Sequence, residues 1–237
     1  MNGDAICRAC TPGKFKASAH NGACQPCGTG TYSEAAADAC SNCPAGKFSA
    51  TSEAVSQDTC TVCEAGKYSQ AAAPACSECP EGKFSATLGA TSIEYCTSCD
   101  PGTYSVTKAA ISDATCIECS VGKFSDVPGA TSASTCGVCS ADAGYYCPWG
   151  SNTSKGRPCE SGYRCSGDTE DRIECVTGTH ASAGSSTCTV CVPGTFADKQ
   201  APSCTKCPED TSVCDAIGLE RPGVKEGFWR ADAESRR

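Results

Sequence analysis

One short unit is copied along this chain: Cys-x2-Cys-x2-Gly-(Lys or Thr)-(Phe or Tyr)-Ser, as in Cys40-Ser-Asn-Cys43-Pro-Ala-Gly46-Lys47-Phe48-Ser49. A fixed repeat of this kind constrains the fold more than any single residue, because each copy can be only one small supersecondary unit. The second cysteine of the frame falls at Cys10, Cys27, Cys43, Cys63, Cys79, Cys99, Cys119 and Cys191. Three positions on stands Gly13, Gly30, Gly46, Gly66, Gly82, Gly102, Gly122 or Gly194. Five positions on stands Phe15, Tyr32, Phe48, Tyr68, Phe84, Tyr104, Phe124 or Phe196.

A conventional core cannot be assembled from these residues. Leu88 and Leu219 are the only leucines and Met1 the only methionine, while 25 of 237 residues are cysteine. That proportion marks a disulfide scaffold, and oxidised cysteines persist in extracellular or luminal compartments. Small units without a core need staples. A net charge of -8, with the basic residues dispersed at roughly one per repeat, argues against nucleic acid or an anionic membrane as partner. No apolar run approaches the roughly 18 residues that span a bilayer, and Met1-Asn2-Gly3-Asp4 does not open a signal peptide. A secreted composition without an export signal predicts an internal piece of a longer protein, or a gene whose start has been cut short.

The loops between successive pairs come in two lengths. From Cys10 to Cys136 they hold 13, 12, 16, 12, 16, 16 and 16 residues. The extra length is expected at loop tips, where insertions cost least. Between Cys139 and Cys175 the frame changes to Gly144-Tyr145-Tyr146-Cys147-Pro148 and Gly162-Tyr163-Arg164-Cys165. It then resumes with 12-residue loops from Cys175 to Cys188 and from Cys191 to Cys204, and decays after Cys207. The domain organisation read from this is 7–139 for the tandem repeats, 140–175 for a variant module, 175–214 for further repeats and 215–237 for a C-terminal segment.

Two chemistries compete for the cysteines. Paired Cys-x2-Cys is also the spacing of a four-thiolate zinc site. Against zinc stand an unbroken series with nothing to mark which pairs share a metal, a glycine directly after the second cysteine only at Cys27-Gly28, and only two histidines. With disulfides, the most economical pairing closes each loop: Cys10–Cys24, Cys27–Cys40, Cys43–Cys60, Cys63–Cys76, Cys79–Cys96, Cys99–Cys116 and Cys119–Cys136, then Cys175–Cys188, Cys191–Cys204 and Cys207–Cys214. Cys139, Cys147, Cys159 and Cys165 are left to pair among themselves in one of three ways, and Cys7 is left over. An interlocked scheme, first with third and second with fourth, is the alternative. The repeated glycine is expected at positive φ in a sharp turn, and the aromatic is expected to cover a neighbouring disulfide.

The Cys-x2-Cys-x2-Gly-x-(Phe/Tyr)-Ser frame resembles the ephrin-receptor-like cysteine-rich repeat of the growth-factor-receptor cysteine-rich superfamily, and is similar to tumour necrosis factor receptor modules. The resemblance covers nearly all of Cys7 to Cys207. It implies extracellular modules that stack end to end as stiff rods and often lead into a membrane anchor, and Gly227-Phe228-Trp229-Arg230 looks like such a lead-in. The variant module departs from the pattern and puts the continuity of the array in doubt there. Kinase activity is not implied, since no phosphate-cradling glycine loop or catalytic-loop motif is present.

No catalytic, cofactor-binding or metal-ligating residue is expected. His20 and His180 lack any partner spacing, and His180 stands where the repeat has its aromatic. Carboxylates such as Glu34, Asp38, Glu53 and Asp58 are expected to solvate the surface. Asn152-Thr153-Ser154 is an N-glycosylation sequon. Trp149 with Tyr145, Tyr146 and Tyr163 makes the densest aromatic cluster, which is either a partner-binding surface or a local mini-core.

The sequence therefore predicts a small disulfide-rich fold: an elongated tandem array of short β-hairpin and turn modules, with little helix and no common hydrophobic core. The expected role is non-enzymatic, as an extracellular or cell-surface spacer, adhesion or ligand-binding ectodomain. Its partner is expected to be a protein or glycan, without nucleic acid, and a membrane is reached only through a segment absent from this chain. The competing class is an intracellular zinc-thiolate array.

Overall fold

The computed structural model describes residues 9–17, 22–167, 171–208 and 212–224. Cys7, His20 and the Gly227-Phe228-Trp229-Arg230 segment lie outside them. The chain divides into two compact units, Met1–Asp100 with Tyr104–Ile117 and Pro128–Ser132, and Pro101–Thr103 with Glu118–Val127 and Ala133–Arg237. The architecture is a small disulfide-rich tandem array of two-stranded antiparallel hairpins, and no α-helix occurs among the described residues.

Each module is built the same way, and the one around Gly46 serves to describe it. Gly46 turns the chain at φ 82°, in the left-handed region that glycine enters without penalty. The strand Lys47–Phe48 follows and pairs with Thr61–Val62, the two residues between the next pair of cysteines, in the register Lys47↔Val62 and Phe48↔Thr61. Cys43–Cys60 closes the intervening loop across a Cα separation of 5.6 Å, within the range a relaxed disulfide spans. A two-residue hairpin is not stable by itself in water. A loop of this size, once cross-linked, removes about 3 kcal/mol of unfolded-state entropy.

What the repeat frame does not announce is how modules are stitched together. In the first unit the Gly46 N–H donates to the Ser69 carbonyl of the next module at 2.8 Å, the Ser49 N–H to Ala73 at 3.2 Å, and the Ala72 N–H returns to the Cys43 carbonyl at 2.9 Å. The same three bonds recur from Gly30 to the Gly46 module and from Gly66 to the Gly82 module. At about 1 kcal/mol net per bond, one junction contributes about as much as one disulfide. The serine of the frame is there to be buried: Ser33, Ser49, Ser69, Ser85, Ser105 and Ser125 are all 0–2% exposed. Their hydroxyls are satisfied in two ways. Ser33 and Ser69, in short-loop modules, donate to the carbonyls of Lys14 and Lys47 in the module before. Ser49, Ser85, Ser105 and Ser125, in long-loop modules, accept the N–H two residues on.

Three of the four extra residues of the long loops are not at the tip. Six positions separate Ala54 from Cys60, against three from Ala37 to Cys40, and the difference is a 3-10 turn at Gln57–Thr59 set against the disulfide. Ile93–Tyr95, Asp113–Thr115 and Ala133–Thr135 repeat it, and in each the following cysteine donates its N–H back into the turn. Beside the turn Cys60, Cys96 and Cys136 are buried, while Cys116 is half-buried, as are Cys40 and Cys76 of the short loops.

Candidate functional site

In the second unit the frame is broken between Cys139 and Cys175 by a substitution made in two places at once. Gly156 and Arg172 stand three residues before Cys159 and Cys175, where the repeat has its first cysteine. Each hairpin still forms, with Tyr145–Tyr146 paired to Arg157–Pro158 and Tyr163–Arg164 paired to Ile173–Glu174. The cysteine that has lost its loop partner bonds instead to a new one, Cys139 to Cys147 and Cys159 to Cys165. Cys147 and Cys165 occupy the position of the buried serine, since they take its place as backbone acceptors: Gly122 donates to the Cys147 carbonyl and Gly144 to Cys165, both at 2.9 Å. Cys207–Cys214 is of the same kind, with Cys214 accepting from Gly194 at 2.7 Å and Pro222 in the first-cysteine position. The departure expected to interrupt the array leaves its hydrogen-bond frame running, because that frame is carried by the backbone.

Around Arg172 the module gathers a small cluster of aromatic and charged side chains. Tyr146 is 1% exposed and packs with Cys159, Cys165 and Tyr163. Its hydroxyl accepts from Arg157 Nη2 at 2.8 Å, Arg157 Nε at 3.2 Å and Arg172 Nη1 at 3.3 Å. Arg172 also lies over the Tyr163 ring at 4.7 Å, Arg157 over Tyr146 at 5.3 Å, and Glu160 pairs with both guanidinium groups. Burial works against the Arg172 charge, but the attraction of Tyr146, Glu160 and Tyr163 outweighs it and raises the pKa. The aromatic cluster seen in the sequence is thus divided. Tyr146 and Tyr163 form the mini-core, while Tyr145 is 41% and Trp149 61% exposed.

Trp149 lines a groove of about 260 Å³ together with Pro148, Ser151, Asn152, Thr153 and Arg157. Asn152 and Thr153 are exposed. His180 lies in a strand paired to Thr189, half-buried, and its Nδ1 has no hydrogen-bond partner among the described residues. Glu34, Asp38 and Asp58 are exposed, and Glu53 meets Lys14 at 3.5 Å. No group of three or more His, Cys, Asp or Glu side chains is placed to hold a metal among the described residues. Arg157, Glu160 and Arg172 escaped the sequence analysis. The signal that finds Arg172 is positional: an arginine standing where the frame demands a cysteine.

A family model described as tyrosine-protein kinase ephrin type A/B receptor-like matches residues 51–96 and 93–136. These are ephrin receptor-like repeats. Such repeats are non-catalytic, extracellular ectodomain modules. The matched stretch holds three of the long-loop modules. No curated protein matches the chain. No helix among the described residues is long and apolar enough to cross a membrane.

Proposed function

We propose that this chain is an extracellular, disulfide-linked array of ephrin receptor-like repeats that spaces and presents contact surfaces to a protein partner as part of a larger cell-surface protein. One observation carries the reading: all 24 cysteines among the described residues stand in disulfides. A sulfur in a disulfide is not the thiolate that zinc requires, so this pairing favours an oxidising compartment over a zinc-thiolate array. The dispersed charges and the absence of a common core among the described residues fit a role exercised through loops and module faces.

The test is intact mass of the purified, non-reduced chain after alkylation in denaturant, with and without a chelator. Labelling of at most one or two cysteines, unchanged by the chelator, is the expected result. Labelling of most cysteines, with zinc released, overturns the reading in favour of a metal-binding array.

A further inference from the structure

We propose that Asn152 carries an N-linked glycan and that the first sugar of this glycan packs on the exposed face of Trp149. The inference rests on the extracellular reading above. Asn152-Thr153-Ser154 supplies the acceptor amide, a middle residue other than proline and the hydroxyl two positions on. Asn152 and Thr153 are exposed, in a loop that leaves the amide accessible.

Trp149 is the second, independent observation. The same module buries Tyr146 to 1%, yet leaves a larger indole 61% in solvent. That indole lines one groove with Asn152, three residues away, and with polar neighbours Ser151, Thr153 and Arg157. An apolar face rimmed by hydrogen-bonding groups is the complement of a pyranose, which has a C–H face and hydroxyl edges. A sugar tethered at Asn152 occupies the groove without paying the entropy of free association.

The modification balances as a transfer from a lipid diphosphate-linked oligosaccharide of the secretory pathway. The Asn152 carboxamide nitrogen forms a bond to sugar C1, the bond from C1 to the diphosphate oxygen breaks with its electron pair on the leaving diphosphate, and the nitrogen gives up one proton to a base.

The test expresses the full chain behind a secretion leader in a glycosylating host. Intact mass is compared before and after peptide N-glycosidase for wild type, Asn152→Gln and Trp149→Ala, with thiols counted by alkylation. The expected result is one glycan, lost in Asn152→Gln, and removed under native conditions about fivefold faster from Trp149→Ala than from wild type. Equal removal rates overturn the packing on Trp149. A secreted chain with complete disulfides and no glycan overturns the site and leaves the extracellular reading standing, whereas a chain with free thiols and bound zinc overturns that reading itself.

Discussion

Gly46 and Gly89 meet backbone to backbone across two module boundaries: a Cβ added to Gly46 would overlap the carbonyl oxygen of Gly89. Gly66 stands in the same relation to Ala109 and, in the second unit, Gly162 to Gln200. The frame glycine is therefore required twice, once for its positive φ and once because the module two places on lies against it. Gly46→Ala is expected to lose about 3 kcal/mol or more, the sum of a left-handed alanine and an unrelieved backbone clash. Gly28→Ala, with nothing within 4 Å of its Cβ, is the control and is expected to change stability by less than about 0.5 kcal/mol. Thermal unfolding of the non-reduced variants separates the two, and hydrogen exchange should show lost protection at the Gly46 amide only in the first.

The loop residue that returns its N–H to the preceding module is left-handed whatever its identity: Ala109 has φ 51° and Ala72 φ 62°, where other modules place Gly89 and Gly129. Ala109→Gly is expected to stabilise by about 0.5–1 kcal/mol, because the relief of a strained φ exceeds the added freedom of the unfolded chain. A melting temperature that falls on this substitution would contradict the assignment of strain.

Cystine placement follows a substitution rule that can be imposed elsewhere. Where the first cysteine of a pair is missing, the serine position supplies one, six residues on in Cys159–Cys165. The pair of substitutions Cys60→Ser and Ser49→Cys should therefore yield a folded module in which Cys43 bonds to the thiol introduced at the serine position, read by peptide mapping under non-reducing conditions. Recovery of Cys43 as a free thiol, or scrambling to other modules, would remove the rule.

Burial of the loop-closing cysteine predicts an order of reduction. Cys27–Cys40, Cys63–Cys76 and the long-loop Cys99–Cys116 each have one half-buried cysteine, whereas both cysteines of Cys43–Cys60 and of Cys79–Cys96 are buried. Access governs attack on a disulfide. Partial reduction with a small phosphine at acidic pH, followed by alkylation and mapping, should open the three bonds with a half-buried cysteine before the two fully buried ones, and simultaneous opening of both classes would deny burial this role.

Tyr146 holds the variant module through its hydroxyl. Tyr146→Phe keeps the buried ring and removes the oxygen that accepts from Arg157 and Arg172. The expected cost is about 1 kcal/mol, below that of a fully buried charge-assisted bond because both arginines are partly solvated. Denaturant unfolding of wild type and variant measures it, and Tyr146→Ala should cost about 3 kcal/mol or more.

The tandem hairpin array, the turn at each frame glycine and, among the described residues, the scarcity of helix and the absence of a common core were all legible in the sequence. Each of these is a property of one module, written in its own cysteine spacing, glycine and aromatic. Only the tertiary structure decided what lies between modules. The bonds from Gly46 to Ser69 and from Ala72 to Cys43, and the approach of Gly89 to Gly46, are made by backbone atoms that every residue carries. They leave no side-chain pattern except the small size of what must fit, as at Ser69 and Ala90, both buried. The same reason hid the consequence of Arg172: its position in the frame could be counted, but that it reaches the Tyr146 hydroxyl and the Tyr163 ring follows only from packing.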